Sequence, residues 1–140
     1  MIENILTNSE SRLQDVDTWT GSTGSDEEIH KAMDWEYIEN KYDQDLGKYF
    51  NNKLIKYKGT SDDFFKNNKE TFDFIYIDGH HEKEYVERDA INSLNCINET
   101  GIIAFDDAGG LSYIRDIALK LASENGFSII ENNWQVWMKR

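Results

Sequence analysis

The sequence has no proline and a single cysteine in 140 residues. Cys96 has no partner within the chain for a disulfide, which fits a reducing compartment, and its place in an apolar helical stripe predicts a buried structural thiol. No Cys-x-x-Cys occurs, so a thiolate zinc site is excluded. The Gly-x-Ser-x-Gly nucleophile elbow and the Gly-x-x-x-x-Gly-Lys phosphate loop are also missing. No apolar run approaches the ~20 residues of a membrane span. The opening Met1-Ile-Glu-Asn-Ile-Leu6 is too short and too polar for a signal peptide, so a cytoplasmic location is the expectation. Positive charge is scarce: 15 Lys and Arg stand against 27 Asp and Glu, a formal net charge of -12. Such a chain repels phosphate backbones and anionic lipid, which argues against nucleic acid and membrane surfaces as partners. It favours a cation, or a ligand that carries positive charge.

What is present suits one domain over residues 1–140 with a real core. Neither a repeat nor a low-complexity linker divides the chain. Apolar runs alternate with helix-like stretches, the pattern of an α/β fold with a mainly parallel sheet. Residues 2–8 read as the end of a helix. Strands are predicted at 13–17, 53–58, 72–78 and 101–105, and a hairpin at 127–131 and 134–138. Asn132 and Asn133 supply its tight turn with positive φ. Thr18–Asp26, with Gly21 and Gly24, reads as a loop. A helix is predicted over 27–50 on the spacing of Ile29, Met33, Tyr37, Ile38 and Tyr42. Another starts at Thr60 or Ser61, whose hydroxyls can cap it, and runs through Asn68. Two more cover 82–97, with Val86, Ala90, Leu94 and Ile97 inward, and 111–125, with Ile114, Ile117, Ala118 and Leu121 inward. Gly126 stands where a left-handed cap belongs. Phe72–Asp78 is the strongest strand signal and reads as buried on both faces.

The chemistry lies at strand ends. In open α/β sheets, ligands bind beyond the carboxyl ends of the strands. Asp17, Asp78, Asp106 and Asp107 occupy such positions, and converging carboxylates suit Mg²⁺ or Mn²⁺. A single loop Asp is more often a cap, but the whole set favours a site. In Asp78-Gly79-His80-His81, Gly79 permits a sharp turn and either histidine can be a general base or merely a helix cap. Asp17 can accept ribose hydroxyls or simply be solvated. Gly59-Thr60-Ser61 can face a ligand or only begin a helix. Trp19 and Trp35 can stack on an adenine or fill core.

Gly59-Thr60-Ser61, Phe72-Asp-Phe-Ile-Tyr-Ile-Asp-Gly-His-His81, Tyr85 with Asp89, and Gly101-Ile-Ile-Ala-Phe-Asp-Asp107 together resemble class I S-adenosylmethionine-dependent methyltransferases of the macrocin O-methyltransferase type. Val16-Asp17-Thr18-Trp19-Thr20-Gly21 resembles that family's second strand and the loop after it. The likeness runs from about residue 4 to 110, and the closing hairpin suits the fold's last two strands. It implies a Rossmann-like fold with strand order 3-2-1-4-5-7-6. The first strand and its glycine-rich motif would lie upstream of Met1, leaving the second and fourth strands with open edges. The same 140 residues alone would then bind the cofactor weakly or not at all, and a homo-oligomer or a complementing chain becomes an expected partner.

By resemblance, Asp17 binds the ribose of S-adenosylmethionine, with Thr18, Trp19, Gly59, Thr60, Ser61 and Asp78 lining the cofactor site. Asp78, Asp106 and Asp107 hold Mg²⁺ or Mn²⁺, and His81 is the base. The implied reaction is metal-assisted O-methylation of a small-molecule or sugar hydroxyl. A non-catalytic remnant and a metal-dependent hydrolase using the same carboxylates are the competing readings.

Overall fold

Among the described residues, six strands and five helices follow one another in the order that the apolar runs predict. The computed structural model describes residues 6–21, 27–50 and 52–140. Two compact units divide the chain, residues 1–66 and 67–140. Among the described residues no helix is long and apolar enough to cross a membrane.

In the first unit, β1 (Leu13–Asp17) pairs in parallel with β2 (Leu54–Lys58), with Asp17 level with Lys58. Helix α1 (Glu27–Lys31) and helix α2 (Trp35–Leu46) lie between them in sequence, and a 3-10 turn (Gly47–Tyr49) follows α2. The single helix predicted over 27–50 is thus broken. The Asp34 side chain accepts from the Tyr37 amide and starts α2 afresh, as an N-cap aspartate does. Met33 and Tyr37 are consequently exposed rather than inward. Leu54 and Trp19 are buried here, and the Tyr42 ring lies 4.4 Å from Trp19. Lys56 runs its ammonium over the Trp19 ring at 4.7 Å and reaches Glu39 at 2.9 Å and Asp43 at 2.6 Å. Burial pulls the Lys56 pKa down, but the two carboxylates outweigh it and hold it above the ordinary value. Helix α3 (Ser61–Asn67) closes the unit, capped by Thr60 Oγ1, which accepts from the Asp63 amide at 3.1 Å.

The second unit is a four-stranded sheet of order β3-β4-β6-β5, built from β3 (Phe72–Ile77), β4 (Ile97–Phe105), β5 (Ser128–Glu131) and β6 (Val136–Lys139). β3 and β4 are parallel, whereas β6 runs antiparallel to both β4 and β5. Helix α4 (Lys83–Leu94) and helix α5 (Ser112–Asn125) supply the core with Val86, Ala90, Ile114, Ile117, Ala118 and Leu121, against Ile103, Phe105, Val136 and Met138 of the sheet. Gly126 takes φ 73° at the end of α5, the left-handed cap expected there.

Three local expectations are corrected. β3 is not buried on both faces: Ile75 and Ile77 pack on the core, but Phe74 and Tyr76 are 50% and 43% exposed. Helix α4 stops at Leu94, so Cys96 is buried in the turn beyond it and Ile97 opens β4. The hairpin turn uses neither Asn in a left-handed conformation; it spans Asn132–Gln135, and the Asn132 side chain accepts from the amides of Trp134 and Gln135. The residue 2–8 helix and the loop beyond Gly21 fall largely outside the described residues; residues 6 and 7 have no regular structure.

Phe105 is fully buried among both helices and the sheet. Phe105→Ala is expected to cost about 3–5 kcal/mol, the usual range for emptying such a site. Gly126→Ala should cost about 1–2 kcal/mol because its backbone is left-handed. Urea unfolding of both variants checks the ranking.

Candidate functional site

The register of β3 on β4 builds the site. Ile77 stands opposite Phe105, and the Asp106 amide donates to the Ile77 carbonyl at 3.0 Å. Asp78 and the Asp106-Asp107 pair therefore leave the two strands at one level, as parallel neighbours require.

Past the strand end, Asp107 adopts φ 55°, a conformation that Asp tolerates better than most residues. Its carbonyl accepts from the amides of Gly110 and Leu111 at 3.0 and 2.8 Å, which closes the turn. The Asp107 carboxylate meets the His81 ring, with Oδ2 3.1 Å from Nε2; Asp78 Oδ1 lies 3.7 Å from the same nitrogen. One donor atom from each of Asp78, His81 and Asp107 falls within 4.8 Å of the other two. The Tyr113 hydroxyl donates to the His81 carbonyl and so ties the loop to α5.

Asp106 has different partners. Gln135 donates to its Oδ1 at 3.4 Å and to the Tyr76 hydroxyl at 2.9 Å. Burial works to raise the Asp106 pKa, but hydrogen bonds from Tyr76, the Asp107 amide and Gln135 outweigh it and hold the carboxyl below its ordinary value. Tyr76 is pushed up to about 12, by burial first and then by Asp106. Asp78 shifts the other way. Burial raises its pKa, and the charges of Asp106 and Asp107 add to that against the opposing pull of His81.

His80 behaves as a cap. Its Nδ1 accepts from the Glu82 amide at 3.1 Å, and its ring stacks on Tyr85 with centroids 4.1 Å apart. Gln135 and Tyr76 were not legible as site residues, because a glutamine and a strand tyrosine carry no local signal. The antiparallel partner β6 is what brings Gln135 to Asp106.

The expected cofactor residues of the first unit sit around one strand end. Asp17 is exposed, and its Oδ1 accepts from the Trp19 amide at 2.5 Å. The Gly59 amide donates to the Asp17 carbonyl at 2.9 Å. Thr18 Oγ1 accepts from Thr20. Trp19 is buried at φ 58°, and its indole N–H has no partner among the described residues. Thr60 is occupied by its cap, and Ser61 is half-buried at the start of α3. Trp35 donates to the His30 carbonyl at 2.8 Å.

Residues 1–108 match the model of a methyltransferase domain family. No curated protein sequence matches the chain. Among solved structures, the O-methyltransferase NovP aligns with a TM-score of 0.70 at 14% identity, over 99% of this chain and 63% of NovP. The calicheamicin methyltransferase CalS11 gives 0.58 at 12%, over 94% and 61%. An O-methyltransferase from Bacillus cereus in complex with SAH gives 0.59 at 13%, over 99% and 79%. The chain thus spans about six tenths of the length of the first two. At these identities the likeness shows the fold, which is Rossmann-like and of the class I methyltransferase kind, with a small sheet. With more than half of its length matched, the chain belongs to the methyltransferase domain family.

Proposed function

We propose that this chain carries out S-adenosylmethionine-dependent O-methylation of a small-molecule or sugar hydroxyl, assisted by a divalent metal. The observation that carries the reading is the approach of Asp78, His81 and Asp107 at the ends of two parallel strands. Family membership supports the transfer chemistry. Relatives in fold support its details: one was solved with SAH, and CalS11 is also described as a TDP-rhamnose 3'-O-methyltransferase. The single-domain reading draws on strand order: within the first unit β2-β1 matches 3-2 of the order 3-2-1-4-5-7-6, and within the second β3-β4-β6-β5 matches 4-5-7-6.

The donor set fits a hard cation. The carboxylates of Asp78 and Asp107 are oxygen ligands of the kind Mg²⁺ or Mn²⁺ accepts, and the His81 ring beside them is the base rather than a ligand. The raised Asp78 pKa reflects burial and crowding of negative charge that a cation would relieve. Asp78 and Asp107 are the ligands that the geometry favours, with Asp106 beside them although it here accepts from Gln135. Bound there, the metal would lower the pKa of an acceptor hydroxyl. S-adenosylmethionine would supply the methyl group. His81 Nε2 takes the hydroxyl proton, and the carboxylates of Asp78 and Asp107 stabilise the imidazolium that results. Asp17 addresses the ribose, and Thr18, Trp19, Gly59, Thr60 and Ser61 line the same strand end of the first unit; Asp78 is the cofactor residue that the family resemblance assigns in the second unit. Any location in the cytoplasm and any second copy or complementing chain belong to this proposal too.

Calorimetry with S-adenosylmethionine, with and without Mg²⁺, tests cofactor use. Weak binding is expected, and Asp17→Ala should weaken it by about tenfold or more, the loss of one charged hydrogen bond. No heat at millimolar ligand would overturn the reading. In SAH-release assays on hydroxylated acceptors, His81→Ala should slow turnover by about 10²–10⁴-fold, the usual worth of a general base, and leave cofactor binding intact.

The metal assignment has a pH signature. The folded state binds the Asp78 proton more tightly than the unfolded chain does. Its contribution is therefore fully present below the ordinary carboxylate pKa of about 4, and is lost as pH rises through the raised folded value. In chelator, Asp78→Asn should melt higher than the parent at neutral pH, and the gain should vanish below about pH 4. With Mn²⁺ the ranking should reverse, because only the parent gains stability from the ion. An unchanged melting temperature of the parent at saturating Mn²⁺ would refute the metal site.

A further inference from the structure

Residues alternate between two faces along β4 and β6. Ile103 and Phe105 on β4, and Val136 and Met138 on β6, belong to the core that the helices cover. Ala104 and Trp137 pair on the opposite face, with Tyr76 of β3 on the other side of Ala104. Asp106 and Gln135 come next, one step past the paired Phe105 and Val136. The pleat therefore gathers Tyr76, Asp106, Gln135 and Trp137 on one face of the sheet.

The Gln135 side chain is held from two sides. Its Oε1 accepts from the Trp137 indole at 3.2 Å, and its Nε2 donates to the Tyr76 hydroxyl at 2.9 Å and to Asp106 Oδ1 at 3.4 Å. An indole N–H only donates, and a carboxylate only accepts. Trp137 thus settles which end of the amide faces Asp106. The Tyr76 hydroxyl bonds to Asp106 as well. Asp106 is drawn toward the hairpin, and it stands outside the trio of Asp78, His81 and Asp107, whose donor atoms lie within 4.8 Å of one another.

This arrangement sets up a competition. A cation held by Asp78 and Asp107 attracts the neighbouring carboxylate, whereas the amide and the phenol keep it where it is. Linkage runs both ways: what loosens the hold of Gln135 favours the ion, and the ion loosens that hold.

We propose that Gln135, oriented by Trp137, is a positioning residue that holds Asp106 away from the ion and so sets how tightly the site binds it. This rests on the metal reading of the site and names the element that tunes it; the family match ends at residue 108 and does not reach Gln135.

Calorimetry with Mn²⁺ on the full chain tests it, with the Trp137 indole N–H resonance under Mg²⁺ as a second readout. Gln135→Leu, similar in size but without the amide, should bind Mn²⁺ about three- to tenfold more tightly than the parent, the worth of one modest hydrogen bond. Trp137→Phe, which frees the amide to turn, should give a smaller gain and also assigns the indole resonance by its loss. In an Asp106→Asn background Gln135→Leu should add nothing, because the group that it releases is gone; a general loosening of the hairpin would act there all the same. Mg²⁺ should shift the Trp137 resonance in the parent and leave it in place in Gln135→Leu. The same gain with and without Asp106→Asn overturns the proposal. Ion binding by the parent with no gain in Gln135→Leu would uphold the metal site and sink the role of Gln135. Should Gln135→Leu fail to fold, the parent decides: a Trp137 resonance that shifts under Mg²⁺ supports the proposal, and one that stays fixed refutes it. No ion binding by any of these proteins would refute both readings.

Discussion

The parallel pairing of β3 with β4 is the constraint on which the site depends. Parallel neighbours end at the same edge of a sheet, so whatever follows Ile77 and Phe105 must emerge side by side. The strength of that pairing comes from β4, where Ile103, Ala104 and Phe105 are fully buried. Three extra residues on β4 between the positions opposite Phe72 and Phe74 absorb a register shift. Gly101 ends the irregularity, tight against Ile97 and the Asn98 carbonyl. From there on the register is regular up to the acidic residues, and a slip of one residue would send them to opposite faces.

The two units deal with negative charge in opposite ways. In the first, Lys56 is held between Glu39 and Asp43 and roofed by aromatic rings, so the charges cancel where they are partly buried. In the second, Asp78, Asp106 and Asp107 crowd one strand end, and His81 is the basic group placed between two of them. Crowding of this kind costs stability, and sites that do chemistry are where such costs concentrate. The hairpin contributes here as well: the turn that leads into β6 delivers Gln135 to Asp106 and Trp134 to the neighbouring turn at Gly110.

Much of this was legible beforehand. Strand β1 was read at its observed bounds and β2 and β3 to within a residue, and α5 was read with its inward face and its glycine cap, because periodicity and cap chemistry are local. Other features were not. The break at Met33-Asp34 turned on one aspartate side chain capturing an amide. The early end of α4 at Leu94 put Cys96 in a turn, although the apolar spacing continued through Ile97. The exposed face of β3 could not be seen either, because alternation in Phe-Asp-Phe-Ile-Tyr-Ile is masked when both faces carry apolar residues.

The sequence by itself determined the elements and the residue types at the strand ends, since helix, strand and cap preferences act over a few residues. It also placed Asp78 and Asp107 each just past a strand. Only the tertiary structure decided which of those residues meet. The β3–β4 register brings Asp107 to His81, the left-handed backbone at Asp107 aims its carboxylate, and the antiparallel return of β6 turns Asp106 toward Gln135 instead. These are contacts between residues 26 and 29 positions apart, and nothing in the local spacing of a chain encodes which distant partner its fold will bring.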